Sequence, residues 1–204
     1  MSVASFIFDI GNVIIPFDFN RAIRRIAAEC VDPFTQLPPE AHNLTSLYES
    51  GRLKRPEFLE QAMELLRYRG TEGNFVAAWQ DIFEENPPMN RLIGRLRACY
   101  PLYLLSNTSD IHADYFEAKY PVFSHFSGSV YSHLAGCMKP ERVIFEKAIE
   151  KFGVDPAQTV YVDDLAANVA GASAAGFVAI QYDHTRHADF VARLRELGVQ
   201  GLEE

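Results

Sequence analysis

Cysteine is scarce in this sequence. Among the 204 residues only Cys30, Cys99 and Cys137 are cysteines, and they lie far apart, form no CxxC pair and have no histidine at metal-ligand spacing. A disulfide framework and a cysteine-ligated metal site both need paired or clustered cysteines, so the pattern argues against both. Three isolated thiols are typical of small apolar core residues in a reducing compartment.

Long apolar runs and blocks of like charge are also missing. The first apolar stretch has no basic segment before it and is interrupted by Asp9, and nowhere do about 18 apolar residues follow one another, the length that a membrane helix needs. The formal net charge is −8, from 19 basic and 27 acidic side chains. We therefore expect a cytoplasmic protein that binds neither a membrane nor nucleic acid through bulk charge.

What the sequence does contain is an ordinary globular composition. Hydrophobic residues make up 48% and charged residues 23% of the chain. A chain of this length can bury a sizeable core as one domain, or as one domain with an insertion. The balance excludes disordered, collagen-like and low-complexity proteins. It leaves a monomer and a homodimer open as alternatives.

The periodicity of the apolar residues predicts the order of the elements. Residues 5–8 and 13–15 are β-type, and a helix follows with Asn20 as its N-cap. From there to residue 88 only helix signals occur, and Asn86-Pro87-Pro88 ends that stretch. The elements predicted next are helix 89–99, strand 102–105, helix 111–119, strand 129–131, helix 141–152, strand 159–162, a helix ending near 176, strand 177–181 and helix 188–197.

Alternating strands and helices predict an α/β fold, a Rossmann-like parallel sheet with helices on both faces. A strand–helix–strand crossover takes roughly 30 residues, and the first crossover of this chain is much longer than that. We therefore predict a helical cap at residues 16–88, inserted in the first crossover of a core formed by residues 1–15 and 89–204.

Polar residues directly follow three of the predicted strands. They are Asp9, Ser106-Asn107-Thr108 and Asp163-Asp164, and Lys139-Pro140 lies in a neighbouring loop. Each cluster alone has a structural explanation as a helix cap or a turn. Ligands of open parallel sheets bind beyond the carboxyl ends of the strands, so together the clusters predict a binding site.

The charges of this predicted site indicate its chemistry. Asp9, Asp163 and Asp164 with the Lys139 ammonium would carry a net charge of −2, which is repulsive unless a cation is bound. Mg²⁺ prefers oxygen ligands and keeps phosphate oxygens in its shell. One carboxylate would attack phosphorus to form an acyl phosphate, while the metal, Lys139 and the Ser106 hydroxyl stabilise the charge on the other oxygens. The expected partner is a small phosphorylated metabolite.

The four clusters resemble, in order and in spacing, the four motifs of the haloacid-dehalogenase-like (HAD) superfamily. The matching segments are Phe8-Asp9-Ile10-Gly11-Asn12-Val13-Ile14, Leu105-Ser106-Asn107-Thr108, Gly136-Cys137-Met138-Lys139-Pro140, and Val162-Asp163-Asp164 continued through Asn168 and Gly171. They span nearly the whole chain. The resemblance implies a Rossmann-like core and a Mg²⁺-dependent phosphatase, a phosphoric monoester hydrolase.

The same resemblance implies a role for each motif residue. Asp9 would be the nucleophile and would form the catalytic pair with Lys139. The implied metal ligands are Asp9, the Gly11 backbone carbonyl, Asp163 and Asp164. The implied phosphate ligands are Ser106, Asn107 and Lys139. The helical insertion is similar to the C1 cap of one subfamily, and residues 49–53 with Phe58 resemble a recurring segment of that cap.

Gly11 departs from the family pattern. Most phosphatases of the family have a second aspartate there, which serves as general acid and then as general base, a role typically worth about 10²–10⁴-fold in rate. The chain is therefore a slow hydrolase, a hydrolase that borrows an acid from elsewhere, or a protein that binds without turnover. Asp18 and Asp164 are the candidates for a borrowed acid, and Asp18 is also placed to interact with the start of the first helix.

The residues of the first motif are similar to those of a bacterial branch of the family that also lacks the second aspartate. This branch includes an alpha-D-glucose-1-phosphate phosphatase. This similarity favours a sugar phosphate as substrate. Two alternatives remain open, a 2-haloacid dehalogenase of the same fold and a phosphate-binding regulatory protein with little turnover. The doubled aspartate at residues 163–164 argues against the dehalogenase, and Gly11 supports the regulatory protein.

Overall fold

A parallel sheet of five strands lies at the centre of the structure, a computed structural model that describes residues 2–203. Its strands are β1 (Ser5–Phe8), β2 (Leu102–Ser106), β3 (Gly128–Tyr131), β4 (Thr159–Asp163) and β5 (Val178–Gln181). The spatial order is β3-β2-β1-β4-β5, and every neighbouring pair is parallel. The Rossmann-like fold expected from the alternation of elements is confirmed.

Ten α-helices accompany the sheet in the described part of the chain. They are α1 (Phe19–Ala27), α2 (Pro39–Glu49), α3 (Arg55–Leu65), α4 (Glu72–Gln80), α5 (Pro87–Leu96), α6 (Asp110–Lys119), α7 (Ser132–Ala135), α8 (Arg142–Phe152), α9 (Ala166–Ala174) and α10 (His187–Glu196). Short 3-10 helices cover residues 121–125, 156–158 and 184–186. Across residues 2–203, none of the helices combines the length and the apolar character that crossing a membrane requires.

Helices cover both faces of the sheet. Successive side chains of a strand point to opposite faces, and both faces are apolar, so each is buried by helices. Phe6 and Phe8 of β1 belong to the apolar cluster that includes residues of α5, α6 and α10. Ile7 belongs to a second cluster, with residues of α8 and α9. All four residues of β1 are buried, as expected for a central strand of a parallel sheet.

The region between β1 and β2 is helical, as predicted, and contains α1 to α5. Its apolar residues continue the cluster on the first face of the sheet. Trp79 of α4 lies at its centre, stacked on Phe75 and in edge contact with Phe58 and Phe19. The stripe of α4 is therefore packing surface, which agrees with the sequence-based interpretation.

Two local predictions in the segment after β1 are wrong. Residues 13–15 form a turn instead of a strand, since their backbone N–H groups all donate to the Ile10 carbonyl. Their β-branched side chains fill the core although the backbone forms a turn. Because β-branched residues are typical of strands, the sequence predicts a strand here. The N-cap of α1 is Asp18 instead of Asn20, because the Asp18 carboxylate accepts the Asn20 N–H at 3.0 Å.

Asn86 joins three parts of the fold where the helical region returns to the sheet. Its side-chain oxygen accepts the Met89 N–H at the start of α5, and its Nδ2 donates to the Val13 carbonyl at 2.8 Å and to the Tyr182 hydroxyl at 3.1 Å. The residue is buried. Pro87 and Pro88 occupy the first turn of α5, where a missing N–H costs nothing.

We expect Asn86→Ala to lower the free energy of unfolding by about 2 kcal/mol, because it removes a helix cap and leaves the Val13 carbonyl buried without a partner. Urea unfolding followed by circular dichroism measures the change. Asn43→Ala, at an exposed position of α2, is the matched control and should change stability by less than about 0.5 kcal/mol. Equal stability of the two variants would contradict a stabilising role of the Asn86 hydrogen bonds.

Candidate active site

Three neighbouring strands bring the predicted site residues to one edge of the sheet. Asp9 directly follows β1, and Ser106 and Asp163 are the last residues of β2 and β4, which flank β1 on its two sides. The Asp9 N–H donates to the Val162 carbonyl at 2.8 Å, so Asp9 lies level with the end of β4. The chain reverses its direction across the sheet between β1 and β4, the place where open α/β sheets bind ligands.

Lys139 links the two central carboxylates. Its Nζ lies 2.7 Å from Asp9 Oδ1 and 2.7 Å from Asp163 Oδ2, and its side chain is only 2% exposed. Burial lowers the pKa of the ammonium, but the Asp9 and Asp163 carboxylates together outweigh burial and raise the pKa of Lys139 above its usual value. Lys139 is therefore a permanent cation inside the site.

Asp9 keeps an elevated pKa despite this cation. Burial raises the pKa of Asp9 to about 6; the Lys139 ammonium lowers it, and the Asp163 charge raises it. Near neutral pH the carboxylate is ionised, desolvated and turned toward a cation, which is the state that a carboxylate nucleophile requires.

Asn107 fixes the backbone of Lys139. Its side-chain oxygen accepts the Lys139 N–H at 2.8 Å, and its Nδ2 donates to the Lys139 carbonyl at 3.0 Å. The segment is packed from the other side by Gly171 of α9, where a Cβ would lie 2.9 Å from the Pro140 carbonyl oxygen. The side chain of Asn107, which the sequence suggests as a phosphate ligand, thus also positions Lys139.

Asp163 is fully buried and accepts hydrogen bonds from three groups besides Lys139. Oδ1 accepts the Leu165 N–H at 2.9 Å, Oδ2 accepts the Tyr161 hydroxyl at 2.5 Å, and the Asn168 amide donates to both oxygens. The sequence patterns predict no contact of Tyr161 or Asn168 with Asp163. The alternation of β4 offered a signal for Tyr161, because residues two apart in a strand share one side of the sheet.

The loop after β1 brings Asp164 into the same group. Asn12 has a left-handed backbone with φ of 55° and donates its side-chain N–H to Asp164 Oδ2 at 3.0 Å. Burial raises the pKa of Asp164; the Asn12 hydrogen bond lowers it, and the Asp163 charge raises it. The Gly11 carbonyl precedes Asn12 and accepts none of the hydrogen bonds found among residues 2–203.

The three aspartates form a group that fits a divalent cation. One carboxylate oxygen from each of Asp9, Asp163 and Asp164 lies within 4.8 Å of the others. Lys139 balances only one of the three negative charges. A hard cation with oxygen ligands, such as Mg²⁺, matches both the donor atoms and the remaining negative charge.

A cavity of about 90 Å³ opens beside this group, between the sheet edge and the helical region. Gly11, Ser106, Asn107 and Thr108 line its floor, and the Ser106 hydroxyl has no hydrogen-bond partner among residues 2–203. Its walls are largely aromatic and aliphatic. The apolar wall residues are Phe17, Phe19, Ile82, Phe83 and Phe116.

The candidate acid Asp18 and two histidines, His133 and His187, do not line this cavity. Asp18 is about half exposed and caps α1, where hydrogen bonds from Asn20 lower its pKa. His133 Nδ1 is hydrogen-bonded to the Thr108 carbonyl at 2.8 Å, and His187 Nδ1 lies 3.0 Å from the Tyr182 hydroxyl. All three therefore have structural partners. The interpretation of Asp18 as a partner of the first helix agrees with its position.

Comparison with known proteins gives a family match over most of the chain. The model of the haloacid dehalogenase-like hydrolases matches residues 3–176. A D-ribitol-5-phosphate phosphatase of Bacteroides thetaiotaomicron is 28% identical over 191 residues, which cover 88% of this chain and 91% of the relative.

Solved structures agree in architecture. A HAD family enzyme of Bacteroides thetaiotaomicron, in complex with magnesium and inorganic phosphate, has a TM-score of 0.80 and 25% identity and covers 90% of this chain and 96% of its own. A HAD-like family hydrolase described as predicted, from Porphyromonas gingivalis, has a TM-score of 0.81 and 29% identity, with coverage of 96% and 98%.

We expect Gly171→Ala to destabilise the protein by about 1–3 kcal/mol, because the new methyl group would collide with the Pro140 carbonyl and the Phe145 ring, each 2.9 Å away. Gly73→Ala is the control, since its Cβ has only one neighbour, at 4.0 Å, near the start of α4. Thermal unfolding compares the two. A Gly171→Ala protein that melts with the Gly73→Ala control would show that this contact imposes no constraint.

We expect Asp9→Asn to stabilise the metal-free protein, by on the order of 2–3 kcal/mol near pH 7.5. The folded pKa of Asp9 is raised from 3.8 to about 6, so its ionisation opposes folding. The stability that protonated Asp9 provides is complete below pH 3.8 and is lost as the pH rises through 6, so the advantage of the variant should shrink toward acid pH. Urea unfolding in EDTA at several pH values measures it.

Asp114→Asn, on the exposed face of α6, is the control for this experiment, because its ion pair with Arg55 is exposed and of small energetic value. An advantage of Asp9→Asn that stays constant from pH 4 to pH 7.5 would refute the raised pKa of Asp9.

Proposed function

Because the chain belongs to the haloacid dehalogenase-like hydrolase family, we propose that it is a Mg²⁺-dependent phosphatase that hydrolyses a small phosphate monoester through an aspartyl-phosphate at Asp9. The observation that carries the proposal is the buried Lys139 ammonium, shared at 2.7 Å by Asp9 and Asp163 beside the Ser106 hydroxyl and the cavity. In this proposal Asp9 is the carboxylate nucleophile, Lys139 the fixed cation and Ser106 an anion-binding hydroxyl, all acting on one phosphoryl group.

The negative charge of the site supports a metal ion. Asp9, the Gly11 carbonyl, Asp163 and Asp164 would hold Mg²⁺, which supplies positive charge against the oxygens of the substrate phosphate. Asp163 already accepts from four donor groups, and a carboxylate offers about four lone-pair sites. A metal bond at Asp163 would therefore replace one of these contacts.

The protein groups perform the remaining work on the phosphate. The Asp9 carboxylate attacks phosphorus, while Lys139 and the Ser106 hydroxyl stabilise negative charge on the phosphoryl oxygens. Asn107 keeps Lys139 in place through its two backbone contacts and presents its own amide beside the cavity as a further phosphate contact. Each of these groups is held by the sheet edge before substrate arrives, so little reorganisation is needed.

The substrate we propose is a phosphorylated sugar or polyol. A relative that is 28% identical over most of its length carries the name D-ribitol-5-phosphate phosphatase. Residues 16–88 would act as the cap over the cavity, since they contribute Phe17, Phe19 and Phe83 to its walls, and would exclude water during the reaction.

The cellular setting we propose is the cytoplasm. The three cysteines are unpaired in the structure, as expected for a reducing compartment.

The test is phosphate release from a panel of sugar and polyol phosphates and an aryl phosphate, with excess magnesium and with EDTA. We expect magnesium-dependent release that Asp9→Asn lowers by about 10³-fold or more, as for other removed nucleophiles. Asp114→Asn, an exposed aspartate of α6, should keep full activity. Release that Asp9→Asn leaves intact would refute the proposal.

Two other outcomes would replace the proposal with an alternative function. Chloride release from 2-haloacids that persists in EDTA would indicate a dehalogenase. Tight binding of beryllofluoride without turnover of any phosphate ester would indicate a phosphate-binding regulatory protein, which the absence of a carboxyl group at Gly11 favours.

A further inference from the structure

Position 11, which carries no acid, faces an aromatic ring. A Cβ on Gly11 would lie 2.9 Å and 3.2 Å from two carbon atoms of the Phe17 ring. Phe17 lines the cavity beside Gly11 and is paired with Phe83 through an isolated β-bridge. A side chain at position 11 would therefore require the Phe17 ring to move aside. Glycine itself carries no acid, so a proton donor for the leaving group must come from another part of the chain.

We propose that Glu49 is the general acid and general base of this site, a role that rests on the phosphatase function proposed above. Glu49 is the last residue of α2 and lines the cavity together with Gly11, Ser106 and Thr108. Its carboxyl group makes no hydrogen bond or ion pair with any of residues 2–203. Among residues 2–203 it is the one side chain with a carboxyl group in the wall of this cavity.

The end of α2 is fixed to the core, which keeps Glu49 at the cavity. The Ser132 hydroxyl donates to the Glu49 carbonyl at 2.5 Å and accepts the Thr108 N–H at 2.9 Å. The preceding residue, Tyr48, donates its hydroxyl to the Asp110 carboxylate. Thr108 lines the cavity floor together with Ser106 and Asn107, so one hydroxyl couples Glu49 to the loop proposed to bind phosphate.

Gly51 makes the close contact of α2 with the core possible. Its φ is 72°, and a Cβ there would lie 2.2 Å from the His133 carbonyl oxygen. The chain therefore turns sharply against α7 directly after Glu49, and no other residue type fits this approach.

The ionisation of Glu49 suits proton transfer near neutral pH. Burial alone raises the pKa of Glu49 from 4.5 to about 7, close to the pH at which a general acid and base is most effective. His112 is the other ionisable residue in the cavity wall; burial lowers its pKa to about 4, and its Nε2 is hydrogen-bonded to the Trp79 carbonyl. His112 is thus neutral at pH 7 and adds no charge beside Glu49.

Asp18 and Asp164, the other candidates for the general acid, have different contacts in the structure. Asp18 caps α1 outside the cavity. Asp164 is hydrogen-bonded to Asn12 and belongs to the group of three aspartates that fits the metal.

The proposed proton transfers balance over the two steps. In the first, Asp9 Oδ forms a bond to phosphorus, the bond from phosphorus to the ester oxygen breaks, and protonated Glu49 gives its proton to that oxygen, which leaves as an alcohol. In the second, water attacks the phosphorus of the aspartyl-phosphate, the bond from phosphorus to Asp9 Oδ breaks, and the Glu49 carboxylate accepts a proton from the attacking water. Inorganic phosphate leaves, and Asp9 and protonated Glu49 are restored.

The experiment compares Glu49→Gln with the native protein on two substrates, a sugar or polyol phosphate that the native protein hydrolyses and p-nitrophenyl phosphate. Nitrophenolate leaves without a proton, so the variant should still give a burst of one nitrophenol per active site and then stall as the phosphoenzyme, detected by acid quench and mass spectrometry. The alcohol leaving group needs the proton, so turnover of the sugar or polyol phosphate should fall by about 10²-fold or more without a burst.

Glu40→Gln, at the exposed first turn of α2, is the matched control and should behave as the native protein on both substrates. Native-like turnover of the alkyl phosphate by Glu49→Gln would overturn the proposal, and so would an equal loss on both substrates without accumulation of phosphoenzyme, which indicates a structural role. Thermal unfolding confirms that each variant is folded. Failure of the native protein to release phosphate would instead refute the proposed phosphatase function.

Discussion

The candidate site depends on one buried ammonium group, Lys139 Nζ, which pairs with the carboxylates at the ends of two strands. Asp9 and Asp163 are both ionisable and both removed from water, and their mutual repulsion is tolerable only because Nζ lies 2.7 Å from each of them. One cation does not balance three carboxylates once Asp164 is counted. The remaining charge of −2 is the property that selects a divalent cation.

The fold supplies the positions of these charges through contacts from separate parts of the chain. The β1 strand lies between β2 and β4, so the residues after all three strands meet at one edge. Asn107 fixes the backbone of Lys139, and Tyr161 and Asn168 fix Asp163. Many small contacts across the sheet thus offset the free energy lost by burying like charges. The site itself lowers the stability of the fold, as is common where a protein's chemistry requires charged groups.

Sequence patterns predict most of the sheet edge because the chemistry follows the strands directly, as at Asp9 and Asp163. They fail where composition and conformation diverge: the β-branched residues 13–15 resemble a strand but fill the core from a turn. They single out residues 49–53 as a cap segment but give Glu49 no role, because only the packing of α2 against α7 through Ser132 brings that helix end to the cavity. Side-chain partners from distant segments depend on tertiary structure, which no local pattern encodes.

The contact between Gly11 and the Phe17 ring couples these two positions. The first carbon of a side chain at position 11 would stand 2.9 Å from the ring, so the ring would have to turn aside to admit an aspartate. Phe17 is 44% exposed, which leaves it room to do so. The effect of a substitution at position 11 therefore depends on which residue occupies position 17.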